Sequence, residues 1–221
     1  MSYVFDKIEL IKALNNYGIK SSLKTDKDID NALTELAIKR CNSNNFIGSG
    51  IARSTFDCGD YILKVSKEFY VDEYDENAEQ EYIDNMSEEE YEAYENGELD
   101  GYSFNCIESI PSSQYADEQS YTEIENYKII NKLGRVKNQF YKIFAATSNC
   151  AIILAEKCSL ALNRNEHWYE IYGNLSEVYN DIHQDNIGLN KDNKVVILDI
   201  GMEGDWDRIA RTFNVIPEGE I

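Results

Sequence analysis

Towards one end the chain reads Tyr179-Asn180-Asp181-Ile182-His183-Gln184-Asp185-Asn186-Ile187-Gly188-Leu189, then Asn190-Lys191-Asp192-Asn193-Lys194, then Val195-Val196-Ile197-Leu198-Asp199-Ile200-Gly201. Two short apolar runs, Ile187 to Leu189 and Val195 to Leu198, flank a polar turn at Asn190 to Asn193, the pattern of a β-hairpin. A polar loop carrying Asp181, His183 and Asn186 leads into it, and the outgoing strand ends on Asp199 just before Ile200-Gly201. Carboxylate and amide oxygens of this kind are the ligands that hard divalent cations take. The hairpin and what flanks it decide how the rest of the chain is read.

Working back from it, Trp168 to Tyr179 has helical character, while Ala151 to Ala155 and Tyr141 to Ala146 are apolar runs of strand length. Ile124, Tyr127 and Ile130 recur at intervals of three and predict a helix over 121–133. Glu123 lies nearer its apolar side on the helical wheel, with Glu125 as the alternate. Further upstream, Phe46-Ile47, Ser54-Thr55-Phe56 and Tyr61 to Val65 are β-like and are separated by Gly48-Ser49-Gly50 and Cys58-Gly59-Asp60. They predict the start of an antiparallel sheet, with Lys64 in the last of these strands. In the first forty residues, Phe5, Ile8, Ile11 and Leu14 form one helical stripe and Leu33, Leu36 and Ala37 a second. Asp28 and Asp30 favour a helix N-terminus before the second, so two short amphipathic helices are predicted.

The length, 221 residues, suits one compact domain or two closely joined lobes. With 21 Lys plus Arg against 41 Asp plus Glu, the formal charge is −20. No positive cluster offsets it, so direct binding to nucleic-acid backbones is disfavoured. Residues 68–127 contain no Lys, Arg or His; 18 acidic residues fall between Glu68 and Glu118, and Glu123 and Glu125 bring the carboxylates to 20, the whole of the net charge. Residues 68–118 are expected to form an acidic, tyrosine-bearing insertion, solvated apart from one short helix opened by the capping box of Ser87 and Glu90 and stopped at Gly97. The cysteines (Cys41, Cys58, Cys106, Cys150 and Cys158) form no CxxC pair, and free, mostly buried thiols are expected. Asp6, Lys7, Glu9 and Lys12 interrupt the first apolar run, which fits neither a signal peptide nor a membrane span, and a soluble cytoplasmic chain without membrane contact is expected.

A nucleoside triphosphate needs close backbone approach, which glycine permits, a cation against its phosphates, and oxygen ligands for the accompanying Mg²⁺. Gly48-Ser49-Gly50, Lys64, a glutamate-bearing helix, and Asp181, Asn186 and Asp199-Ile200-Gly201 occur in that order. On these residues and their spacing the chain resembles the protein-kinase-like superfamily, in which a catalytic Asp is followed at +5 by a metal-binding Asn and about thirteen residues later by the Asp of a DxG motif. The loop Asp181 to Asn186 looks like the DxHxxN form of aminoglycoside and choline kinases. Tyr179 stands where His is usual, and Arg53 where the third glycine of the loop would be.

The resemblance implies an α+β, bilobal protein-kinase-like fold, with an antiparallel β-sheet N-lobe over 46–158 and a much reduced helical C-lobe over 159–221. Residues 1–45 would be an N-terminal helical extension. It implies ATP with Mg²⁺, or Mn²⁺, as cofactors. Asp181 would accept the proton of the acceptor hydroxyl, His183 would sit near the γ-phosphate, and Asn186 and Asp199 would hold the metal. Lys64, positioned by Glu123, would contact the α- and β-phosphates, and Gly48, Ser49 and Gly50 would cover them. The main chain of Glu156 and Cys158 would meet adenine, with Ala155 as a small gatekeeper.

Only 20 residues follow Gly201, so the N-terminal helices, or a second copy of the chain in a homodimer, are expected to cover the small C-lobe. Minimal kinases of this outline resemble those encoded by bacteriophages and the atypical kinases that act on other proteins, which makes a protein substrate the expected acceptor. Two alternatives stay open. One is a pseudokinase or acidic interaction protein, including a mimic of nucleic-acid charge, that binds a basic partner through the insertion. The other is a small-molecule kinase with a polycationic acceptor.

Overall fold

The computed structural model describes residues 1–49, 52–74, 105–111, 118–132, 134–160 and 186–201, with scattered residues between 80 and 96, and among the described residues three α-helices and ten strands have defined bounds. The strands are β1 (Tyr3–Val4), β2 (Phe46–Ser49), β3 (Arg53–Cys58), β4 (Tyr61–Tyr74), β5 (Asn105–Pro111), β6 (Ile143–Ala146), β7 (Ile152–Glu156), β8 (Ser159–Leu160), β9 (Ile187–Leu189) and β10 (Val195–Ile197). The helices are α1 (Lys7–Asn16), α2 (Asp26–Arg40) and α3 (Glu118–Ile130). The fold is mixed α+β. Its main sheet runs β1-β6-β7-β4-β3-β2 with antiparallel neighbours, β5 pairs with β4 off this path, and β10-β9-β8 form a second, smaller sheet.

The two-residue period of the strands separates two cores. On one face Leu63 and Val65 of β4 and Ile152 and Leu154 of β7 pack with Leu10, Ala13 and Leu14 of α1 and Leu33 and Leu36 of α2. On the other, Ile153 and Ala155 of β7 pack with Ile124, Tyr127 and Ile130 of α3 and with Ile187, Val196 and Ile197 of the hairpin. The same alternation turns Lys64 towards α3. The N-terminal helices therefore cover the face of the sheet away from the hairpin, while residues 161–185 and 202–221 of the expected C-lobe lie outside the described residues. Among the described residues the hairpin is covered instead by α3 and the β6–β7 side.

The predicted stripe of α1 is corrected in the same way. Leu10 and Ala13 are fully buried, whereas Ile8 and Ile11 are 67% and 40% exposed. Both stripes have helical spacing. The one used pairs a leucine ridge with a small alanine, and Phe5 is withdrawn from it because Asp6 caps the helix and Phe5 runs extended, its N–H donating to the Phe144 carbonyl at 2.9 Å. Leu10→Ala is expected to cost about 2–5 kcal/mol in urea unfolding and Ile8→Ala less than about 0.5 kcal/mol; the reverse order would restore the predicted stripe.

In α2 the cap is Thr25, with Asp28 completing a capping box. Asp30 accepts from the Ser148 N–H and hydroxyl in the β6–β7 turn, at 2.8 and 2.5 Å. The hairpin turn closes where expected, with Asn193 at φ 57°, a left-handed conformation that Asn tolerates. β4 continues to Tyr74, well past the predicted end at Val65, because its extension lies inside the acidic run where charge hides the strand pattern. The chain divides into a unit of Met1–Lys67 with Pro111–Ile221 and a second unit, Glu68–Ile110, which corresponds to the acidic insertion. The Tyr91 N–H bonds the Ser87 carbonyl at 2.9 Å, as the start of a helix requires; Glu90 and Gly97 lie outside the described residues. Among the described residues no helix is long and apolar enough to cross a membrane.

Candidate functional site

Four charged side chains from four elements meet on the α3 face of the sheet. Lys64 comes from β4, Arg53 from the first position of β3, Glu123 from the buried side of α3, and Asp199 from just beyond β10. Arg53 is opposite Ser66 in the β3–β4 ladder, with Thr55 opposite Lys64, so the two cations lie two residues apart along the same sheet face. Glu123 is fully buried and receives Lys64 Nζ on Oε1 at 2.7 Å, the Arg53 Nη1 donor on Oε2, and the Tyr141 hydroxyl on Oε1. Arg53 Nη2 donates to both oxygens of Asp199 at 3.2 Å.

Lys64 is fully engaged. Besides Glu123, its ammonium donates to the Tyr141 hydroxyl at 2.9 Å and to the Leu198 carbonyl at 3.3 Å, and it lies 4.6 Å from the centre of the Tyr141 ring. The hairpin end is fixed to α3 by Asn126, whose amide donates to the Ile200 carbonyl at 2.6 Å, and the Gly201 N–H donates back to Asp199 at 2.9 Å. A Cβ at Gly201 would meet Gln119 Cγ at 2.5 Å and Arg53 Nη2 at 3.2 Å, so glycine leaves the room that the guanidinium uses.

Burial pushes the Lys64 ammonium down to about 7, Arg53 adding to the fall, while Asp199 and Cys158 oppose it. Burial alone would raise the Asp199 carboxyl. Lys64, Arg53 and the Gly201 N–H outweigh that and hold it below the usual carboxylate range. The Tyr141 hydroxyl is raised well above its ordinary value, chiefly by burial, and stays protonated as a donor.

The structure thus brings Lys64, Glu123 and Asp199 together, and Glu125 pairs instead with Lys128 at 2.8 Å. Asn186 is tied to the same hairpin, its carbonyl accepting the Leu198 N–H at 2.8 Å. Gly48 and Ser49 belong to the edge strand β2 itself and pair with Thr55 and Ser54. A Cβ at Gly48 would meet nothing within 4 Å among the described residues, so there is open space beside that position. Glu156 ends β7; it is buried, and its Oε2 has no hydrogen-bond partner among the described residues. Cys158 is half-buried against the α3 core, and burial, followed by Glu156, raises its thiol to about 12. Burial likewise raises Cys58 and Cys150 to about 11, and no thiol activation is seen there. Asp181, His183, Gly50, Tyr179 and the predicted helix over 168–179 lie outside the described residues.

Two members of the cluster were not predicted from sequence as site residues. Arg53 reads as a loop residue in a weak glycine pattern, and only the strand register reveals that it faces α3. Tyr141 reads as a core aromatic. Among the described residues no group of three or more His, Cys, Asp or Glu side chains could hold a metal. Compared with protein-family models, with curated proteins and with solved structures, the chain has no match.

Proposed function

We propose that the chain is a minimal kinase-like phosphotransferase that uses ATP and a protein hydroxyl. The observation that carries this reading is the buried Lys64–Glu123 ion pair set against the strand end that carries Asp199. In kinases a strand lysine held by a helix glutamate faces the aspartate of the DxG motif, and catalysis rests on positioning and charge neutralisation around the phosphates. The antiparallel sheet, the helix carrying the glutamate between β4 and β6, and the apolar strand β7 ending at Glu156 support the bilobal assignment.

In this reading Asp181 accepts the proton of the acceptor hydroxyl as its oxygen bonds the γ-phosphorus and the bond to the β–γ bridging oxygen breaks, releasing ADP. Lys64 meets the α- and β-phosphates when one of them takes the place of the Leu198 carbonyl, its longest bond. Mg²⁺ or Mn²⁺ at Asn186 and Asp199, as the resemblance implies, does not fit the described arrangement, because the Arg53 guanidinium lies against both Asp199 oxygens and would repel a divalent ion placed beside it; no step is assigned to a metal.

Incubation with γ-labelled ATP, in Mg²⁺ and in Mn²⁺, is expected to label the chain or a protein in a mixed extract, and Asp181→Ala is expected to reduce labelling at least ~100-fold. No labelling by the folded wild type would overturn the phosphotransferase reading. A second reading, a pseudokinase that holds nucleotide and recruits a basic partner through the acidic unit, is favoured by the Arg53 grip on Asp199. It predicts saturable ATP binding without turnover.

A further inference from the structure

The site cluster carries two cations, Lys64 and Arg53, and two carboxylates, Glu123 and Asp199, so its formal charges cancel without an added ion. Resting on the reading of this site as a triphosphate pocket, we propose that Arg53 takes the place of a divalent cation at Asp199, so that the pocket binds a nucleoside triphosphate as its metal-free anion.

The geometry supports the substitution at each point. Arg53 is held from two sides, by Glu123 on Nη1 and by both Asp199 oxygens on Nη2, and Gly201 is the residue that leaves it space. A guanidinium stays charged at any working pH and binds carboxylate and phosphate through separate N–H groups of one planar fork. A divalent ion at bonding distance from the same oxygens would face that guanidinium across a few ångströms of partly desolvated space, where like charges repel strongly. Metal and Arg53 are therefore alternatives at Asp199, and Arg53 is the one supplied by the chain itself. The Asp199 side chain is 27% exposed, whereas those of Arg53 and Glu123 are 7% and 0%, so the cluster opens to solvent on the side where Arg53 Nη2 meets Asp199, and the guanidinium edge there is the group for a phosphate to engage.

The test is calorimetric titration of the full chain with ATP, once in EDTA and once in excess Mg²⁺. Wild type is expected to give dissociation constants within about threefold of each other, while Arg53→Met loses about tenfold or more in EDTA and recovers in Mg²⁺. If Arg53→Met fails to fold, Arg53→Lys keeps the charge but not the fork, and its binding in EDTA is expected to fall about tenfold with recovery in Mg²⁺. Wild-type affinity that collapses about tenfold or more in EDTA overturns the proposal, as does equal weakening of a folded variant under both conditions. Absence of ATP binding by folded wild type under either condition overturns instead the triphosphate reading on which the proposal rests.

Discussion

Glu123→Ala is expected to lower the stability of the chain by about 3–5 kcal/mol, the largest effect of any single change in the site. Its carboxylate takes hydrogen bonds from Lys64, Arg53 and Tyr141 while fully buried. Truncation takes the counter-charge from the buried Lys64 ammonium, which keeps the Tyr141 hydroxyl and the Leu198 carbonyl as neutral acceptors, removes the carboxylate that accepts from the Tyr141 hydroxyl, and leaves two cations facing each other with Asp199 as the remaining carboxylate of the cluster. Glu123→Gln keeps the shape and part of the acceptor capacity, so its loss should be smaller. Urea unfolding followed by tryptophan fluorescence or circular dichroism gives both values. A change below about 1 kcal/mol for the alanine variant would mean that the cluster is open to water and screened, as exposed ion pairs are.

Lys64→Met should separate structure from binding. The methionine fills the apolar channel of the lysine stem, and Glu123 keeps Arg53 and Tyr141, so the expected stability cost is only about 1–3 kcal/mol. ATP affinity, in contrast, should fall roughly 30- to 1,000-fold, the loss associated with truncating one partner of a desolvated charge contact, as read by calorimetry on the folded variant. Unchanged affinity would place the phosphates elsewhere and reduce the Lys64–Glu123 pair to a core ion pair.

How far the sequence reveals this arrangement depends on where each signal is local. The hairpin β9–β10 is legible because its turn residues and flanking apolar runs are contiguous, and Glu123 was separable from Glu125 because one helix wheel contains the whole comparison. Arg53 was not, since its burial follows from the register that sets it opposite Ser66 and from a helix 70 residues away. Of the α1 residues in the N-terminal stripe, Leu14 is buried and Ile8 and Ile11 are not, for a related reason: α1 carries two apolar ridges, and only the sheet decides which is covered. β1 is two residues long, too short for any periodic signal, and the continuation of β4 past Lys67 is disguised by the carboxylates around it. Asp181 and His183 remain readings of the sequence.

Among the described residues each core face also contains one deeply buried thiol. Cys58 sits among the residues packed by α1 and α2, and Cys150 among those packed by α3, and neither is exposed at all. Alkylating reagents attack only the thiolate, and only when it can be reached. The protein is thus born with two internal clocks, whose modification times would report separately how often each layer breathes.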